Sequence, residues 1–88
     1  MKQDFTTWRN QILQNPWDIS PLKFGISQDE VIEIFGNPDA VSTMRSHGKP
    51  LILKYHDIEL HFDGKAHHGL HLIYSDDEIE LSITAEHG

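Results

Sequence analysis

Residues 50–62 read PLILKYHDIELHF, and the fold depends on how this stretch turns back on itself. Leu51, Leu53 and Tyr55 alternate with polar or outward positions, and Ile58, Leu60 and Phe62 do the same after His56-Asp57. Taking His56-Asp57 as a two-residue turn sets Tyr55 opposite Ile58, Leu53 opposite Leu60 and Leu51 opposite Phe62. All six then share one face. A slip of one residue would carry charged side chains onto that face, so the hairpin register is strongly specified.

The alternation continues outward. Setting Phe62 opposite Leu70 brings Leu60 to Leu72 and Ile58 to Tyr74. A last hairpin, turning at Ser75-Asp76-Asp77, pairs Tyr74 with Ile79, Leu72 with Leu81 and Leu70 with Ile83. Before the central hairpin, AVSTMRS at 40–46 forms a fifth strand-like segment, with Val41 and Thr43 preferred inward. The period is two throughout, which predicts an antiparallel meander.

The first part of the chain follows a different period. Asp4 is an N-cap, with Phe5, Trp8 and Ile12 on one face of a helix over about 5–14. Asn15 supplies a left-handed cap and Pro16 ends the helix. Residues 15–26, NPWDISPLKFGI, form an irregular connection whose apolar side chains dock on the core. Ser27-Gln28-Asp29-Glu30 is a capping box in which Glu30 reaches back to the Ser27 amide. Val31, Ile34 and Phe35 then face inward, and Gly36-Asn37-Pro38 stops the second helix. The expected core is Phe5, Trp8, Ile12, Val31, Ile34, Phe35, Leu51, Leu53, Tyr55, Ile58, Leu60, Phe62, Leu70, Leu72, Ile79, Leu81 and Ile83.

The same register predicts the opposite, wet face. Lys54, Glu59, Ile73 and Glu80 form one row across it, and Ile52, His61, His71 and Ser82 form the next. His61 and His71 become a directly opposed pair, with Cβ atoms about 4.5–5.5 Å apart. Two imidazoles plus Glu59 are a ligand set for zinc, copper or nickel. Against that, H-x5-HH-x2-H matches no metal spacing, and His67 and His68 fall in a loop that does not preorganise ligands. Acid–base chemistry by His61 with Glu59 or Asp63 needs a concave, partly dry pocket, which an open sheet face does not supply. No G-x-S-x-G nucleophile motif occurs. Opposed imidazoles do make the face responsive to pH, since both cannot charge without repulsion. Ile52 and Ile73, a β-branched pair among ionisable side chains, give this surface the look of a partner-binding face.

Composition narrows the classes. Eighty-eight residues with 38% hydrophobic side chains make a single domain, residues 1–88, able to bury somewhat over ~60% of its extended surface. The absence of cysteine excludes disulfides and thiolate chemistry. Fourteen acidic against seven basic side chains give a formal charge of −7, which repels phosphate backbones and argues against nucleic acid. A basic protein would be attracted. MKQDFTTWRNQ has no apolar run, and no stretch is long enough to span a bilayer, so a cytoplasmic protein without signal peptide or membrane span is expected.

Residues 22–39, LKFGISQDEVIEIFGNPD, resemble the opening of the α2β4 modules typified by β-lactamase inhibitor protein repeats and by SmpA/OmlA-type assembly lipoproteins. The residues that carry the likeness are Gly25, Ser27, Glu30, Val31, Gly36 and Pro38. GKPLILKYHDIELHF further resembles small bacterial proteins with a Y-G-D-I-E-L-x-F-like hairpin, with His56 standing where that pattern has glycine. The resemblance implies helices on one face of an antiparallel sheet, and binding of another protein by the open face. It transfers no binding residue.

The sequence therefore predicts an α+β domain, two N-terminal helices on one face of a four- to five-stranded antiparallel meander. It predicts a non-enzymatic, cofactor-free protein-binding module of immunity or inhibitor type, with a basic partner at Ile52, Lys54, Glu59, His61, His71, Ile73 and Glu80. The alternative is a metal-binding protein or metal-dependent enzyme at His61, His71 and Glu59. A homo-oligomer formed through the same outer face is a third reading.

Overall fold

Asp4 caps the first helix as expected, its carboxylate accepting from the Thr7 amide at 3.1 Å. A computed structural model describes residues 4–43, 50–62, 69–75 and 81–84. In it α1 (Phe5–Gln14) buries Trp8 and Ile12, with Phe5 packed at the edge of the core. The end of α1 differs from expectation. Asn15 sits at φ −144° and ψ 84°, not in the left-handed region, because the Pro16 ring restricts the residue before it. Ser27 opens α2 (Gln28–Phe35), its hydroxyl accepting from the Glu30 amide at 3.2 Å. The Glu30 carboxylate is 3.1 Å from that same hydroxyl, which donates to it. Val31 is buried, Ile34 and Phe35 are half-buried against the core, and Gly36 ends the helix at φ 87°, where a Cβ would be strained.

Five strands follow: β1 (Ala40–Thr43), β2 (Pro50–Tyr55), β3 (Ile58–Phe62), β4 (Leu70–Ser75) and β5 (Leu81–Thr84). They pair antiparallel in chain order, the open α+β meander that the period-two pattern predicts. Tyr55 faces Ile58 and Leu53 faces Leu60, so the central hairpin has the expected register. His56 alone of the two turn residues has positive φ, at 59°. That sign pattern belongs to a type II′ rather than a type I′ turn. Val41 pairs with Leu53 and so shares the inward face, but on the edge strand it stays 53% exposed.

The register changes at β4. Phe62 faces Leu70 as predicted, but His61 then faces Leu72, Leu60 faces Ile73 and Glu59 faces Tyr74. One extra residue, His71, is accommodated as a β-bulge. Beyond it every side chain of β4 changes face: Ile73 is fully buried, whereas Leu72 and Tyr74, expected inward, are turned outward and half-buried. The last hairpin shifts with it. Ile73 faces Ile83 and Ser75 faces Leu81 in place of the predicted Leu70–Ile83 and Leu72–Leu81 pairs. Leu81 and Ile83 still pack against the core.

A close approach fixes the start of β4. A Cβ on Gly69 would lie 2.6 Å from the Gly25 Cα, so only glycine lets the two chains touch there. Leu70 donates its N–H to Ile26 O at 3.0 Å, and its carbonyl accepts from Gly25 N at 2.9 Å. The irregular segment thus acts as a clamp on the strand.

The core joins both helices, that segment and the sheet. Ile19, Leu22 and Ile26 are buried beside Trp8, Ile12, Val31, Leu53, Leu60 and Ile73, and the Trp8 indole donates to Ile19 O at 2.9 Å. Trp17 is the exception: it was expected to dock inward and is 90% exposed. Phe5 stacks on Tyr55 with ring centroids 5.5 Å apart, and Phe35 meets both rings edge-on. The Tyr55 hydroxyl donates to Gly36 O at 2.7 Å. Burial, aided by the nearby Asp39 carboxylate, pushes the Tyr55 phenol up to about 12. The Leu51 side chain and Ile79, both expected in the core, lie outside the described residues. Among the described residues no helix is long and apolar enough to cross a membrane.

Candidate functional site

The outer face follows directly from the pairing. One row across the sheet is Ser42, Ile52, His61, Leu72 and Thr84. The next is Ala40, Lys54, Glu59, Tyr74 and Ser82. Residues opposite one another in an antiparallel pair point to the same side, so each row lies on one face.

Ile52, Lys54, Glu59 and His61 thus share the surface that their alternation predicts. Ile73 does not. It lies in the inner row with Leu53, Leu60 and Ile83 and is fully buried, because the bulge at His71 moves it inward by one position. Leu72 and Tyr74 take its place outside. His71 is exposed, but as the extra residue of the bulge it is not the cross-strand partner of His61; Leu72 is. Glu80, His67, His68 and Asp63 lie outside the described residues.

At the centre of the face, His61 Nε2 is 3.0 Å from Glu59 Oε1, with the two side chains 24% and 29% exposed. Residues i and i+2 on a strand point the same way, so this contact follows from the alternation itself. The Tyr74 ring meets the His61 ring edge-on, centroids 6.2 Å apart. Lys54 stands opposite Glu59 on β2, an opposite-charge cross-strand pair. Among the described residues no group of three histidine, cysteine or acidic side chains is placed to hold a metal ion, so Glu59, His61 and His71 do not form the three-ligand set of the alternative reading.

A groove of about 430 Å³ runs along β5 at the end of these rows, lined by Pro16, Trp17, Phe24, Ser82, Ile83 and Thr84. The outward position of Trp17 had a local signal in the sequence. Asn15 Oδ1 accepts from the Trp17 amide and Asp18 Oδ1 from the Ser20 amide, turn contacts that carry the chain away from the core.

The hairpin beneath the face is tied down at its turn. Arg9 of α1 grips Asp57 with two charge-assisted bonds, Nε to Oδ1 at 2.7 Å and Nη2 to Oδ2 at 2.6 Å. These bonds hold the Asp57 carboxyl below the usual range despite its burial. Asp39 Oδ2 accepts from the His56 amide at 2.6 Å. Neither tie has a local signal in the sequence: the partners are 48 and 17 residues apart, and no spacing rule connects them. Compared with known protein families, curated proteins and solved structures, the chain matches none of them.

Proposed function

We propose that this chain is a non-enzymatic protein-binding module, of immunity or inhibitor type, which covers a basic partner with the outer face of its sheet. The observation that carries this reading is the bulge at β4. It turns Leu72 and Tyr74 outward, Leu72 facing His61 with Ile52 on the far side of that ring and Tyr74 facing Glu59, an aliphatic–aromatic surface that also carries Lys54 and, in the bulge, the exposed His71. Tyrosine combines apolar area with a polar tip and is favoured at interfaces, and a cluster of this kind supplies the anchor that isolated surface aliphatics do not. The acidic balance of the chain favours a basic protein and disfavours nucleic acid. The resemblance of residues 22–39 to inhibitor-protein modules supports the mode of binding, since such modules cover other proteins with an open sheet face. A cytoplasmic setting fits the cysteine-free composition.

Paired substitution tests the face. Ile52→Asp with Tyr74→Asp should abolish retention of a partner that the immobilised wild type holds, with the fold intact by circular dichroism. Association of that partner should slow as salt rises. Equal retention by both proteins would remove the outer face from the proposal. Self-association of the chain, lost in the same double variant, would make a second copy the partner.

A further inference from the structure

We propose that this face is gated by protons, engaging a basic partner at neutral pH and releasing it as the histidines charge; the inference rests on the function proposed above. Two observations meet here, one global and one local. Globally, the seven histidines match the seven excess negative charges, so charging every imidazole takes the formal net charge from −7 to zero. Imidazoles change charge between roughly pH 8 and 5, whereas ordinary carboxylates stay ionised down to about 4. The long-range attraction for a basic protein is therefore lost over that interval while the carboxylates remain.

Locally, the switch sits at the centre of the patch. Two titratable groups touch the His61 ring, and two more stand on the strands either side of it. Glu59 lies 3.0 Å away on its own strand, and Lys54 of β2 stands opposite that carboxylate. From β4, Tyr74 meets the ring edge-on and His71 occupies the bulge beside Leu72. With both imidazoles neutral, Glu59 keeps its negative charge although one of its oxygens faces His61 Nε2, and that charge attracts a partner's lysine or arginine. A charged His61 pairs with Glu59 from within the face and competes with that cation. A charged His71 adds a second positive charge, so the patch becomes cationic and repels what it held.

Fluorescein-labelled octalysine serves as the probe, with the full chain, at low ionic strength so that screening does not mask the effect. Anisotropy should show binding at about pH 7.5 and an affinity at least about tenfold weaker at about pH 5.5. In the double variant His61→Gln, His71→Gln the fall should shrink to about half on a logarithmic scale, with the remaining histidines supplying the rest. Far-UV circular dichroism checks that both proteins are folded at both pH values. Binding that is equal or stronger at the lower pH overturns the gate and leaves the binding face standing. A fall in the double variant as large as that of the wild type overturns the role of these two histidines and with it the gate. Failure of octalysine to bind at about pH 7.5 overturns the basic-partner reading and the gate together.

Discussion

The β2–β3 hairpin and strand β4 are neighbours with similar alternation, but different forces hold their registers. In the hairpin, both faces decide. Leu53, Leu60, Tyr55 and Ile58 are buried on one side, and Lys54 and Glu59 would be buried if the pairing slipped by one. The turn is also gripped by Arg9 and Asp39. In β4, residues 70–74 read LHLIY, so apolar side chains stand at 70, 72, 73 and 74 and either register buries some of them. What selects between them is tertiary: Gly69 lies against Gly25, and the Leu70 backbone is bonded on both sides to residues 25 and 26. A strand with apolar residues on both faces can be set by its neighbours, and its outer side is then left with apolar material to offer a partner.

The sharpest way to break this comparison is to charge adjacent positions of β4. Ile73→Asp places a carboxylate where the side chain is fully buried, at a cost of several kcal/mol against a total stability of about 5–15. Urea denaturation should find this variant largely unfolded. Leu72→Asp, on the outer face, should stay folded with a transition close to that of the wild type. The register without a bulge demands the reverse order, so the two curves decide between them.

That contrast also marks what was legible in the sequence. Both helices, their Asp4 and Ser27 caps, all five strands and the Tyr55–Ile58 pairing follow from local periodicity and turn chemistry. The outward Ile52, Lys54, Glu59 and His61 follow because the hairpin has one permissible register. The bulge does not, since it exchanges Leu72 for Ile73 in the interior without exposing a charge or burying one. It does bury the Ser75 hydroxyl, which has no hydrogen-bond partner among the described residues. A pattern reader would reject that residue, and the fold accepts it because the clamp at residues 25 and 26 has already placed β4. The Arg9–Asp57 pair is equally silent in the sequence, as nothing local links residues 48 positions apart.

The next effect tests the other half of the comparison, the fastening of the hairpin. Asp57→Asn keeps the shape but removes the charge that Arg9 grips. The loss should be about 3 kcal/mol, between the range for a charged hydrogen bond and that for breaking a buried ion pair, because Arg9 remains partly exposed to water. The pH dependence has a definite sign. Asp57 is held below its ordinary value of 3.8 when folded, so its contribution is complete above that value and is lost as pH falls through the lower, folded one. Denaturation midpoints measured from neutral pH down to about 2 should therefore drop less steeply for Asp57→Asn than for the wild type in the region below about 4. Parallel curves would show that the pair does not fasten the turn.

The smallest effect concerns the clamp itself. Gly69→Ala introduces a methyl group 2.6 Å from the Gly25 Cα, and backbone, unlike a flexible side chain, cannot swing aside. The two segments must separate by a few tenths of an ångström or more, at about 1–2 kcal/mol. Stability alone would not distinguish this from any crowded buried position; hydrogen exchange would. If the clamp sets the register, the Leu70 and Gly25 amides, which bond across it, should exchange faster in the variant, while Leu53 and Leu60 of the hairpin keep their protection relative to global stability. Because the register of β4 also decides which side chains face outward, the same variant should weaken partner binding although it touches no residue of the face. A variant with loosened 25 and 70 amides and undiminished binding would separate the clamp from the bulge. It would leave the outward Leu72 and Tyr74 to be explained by the packing of Ile73 alone.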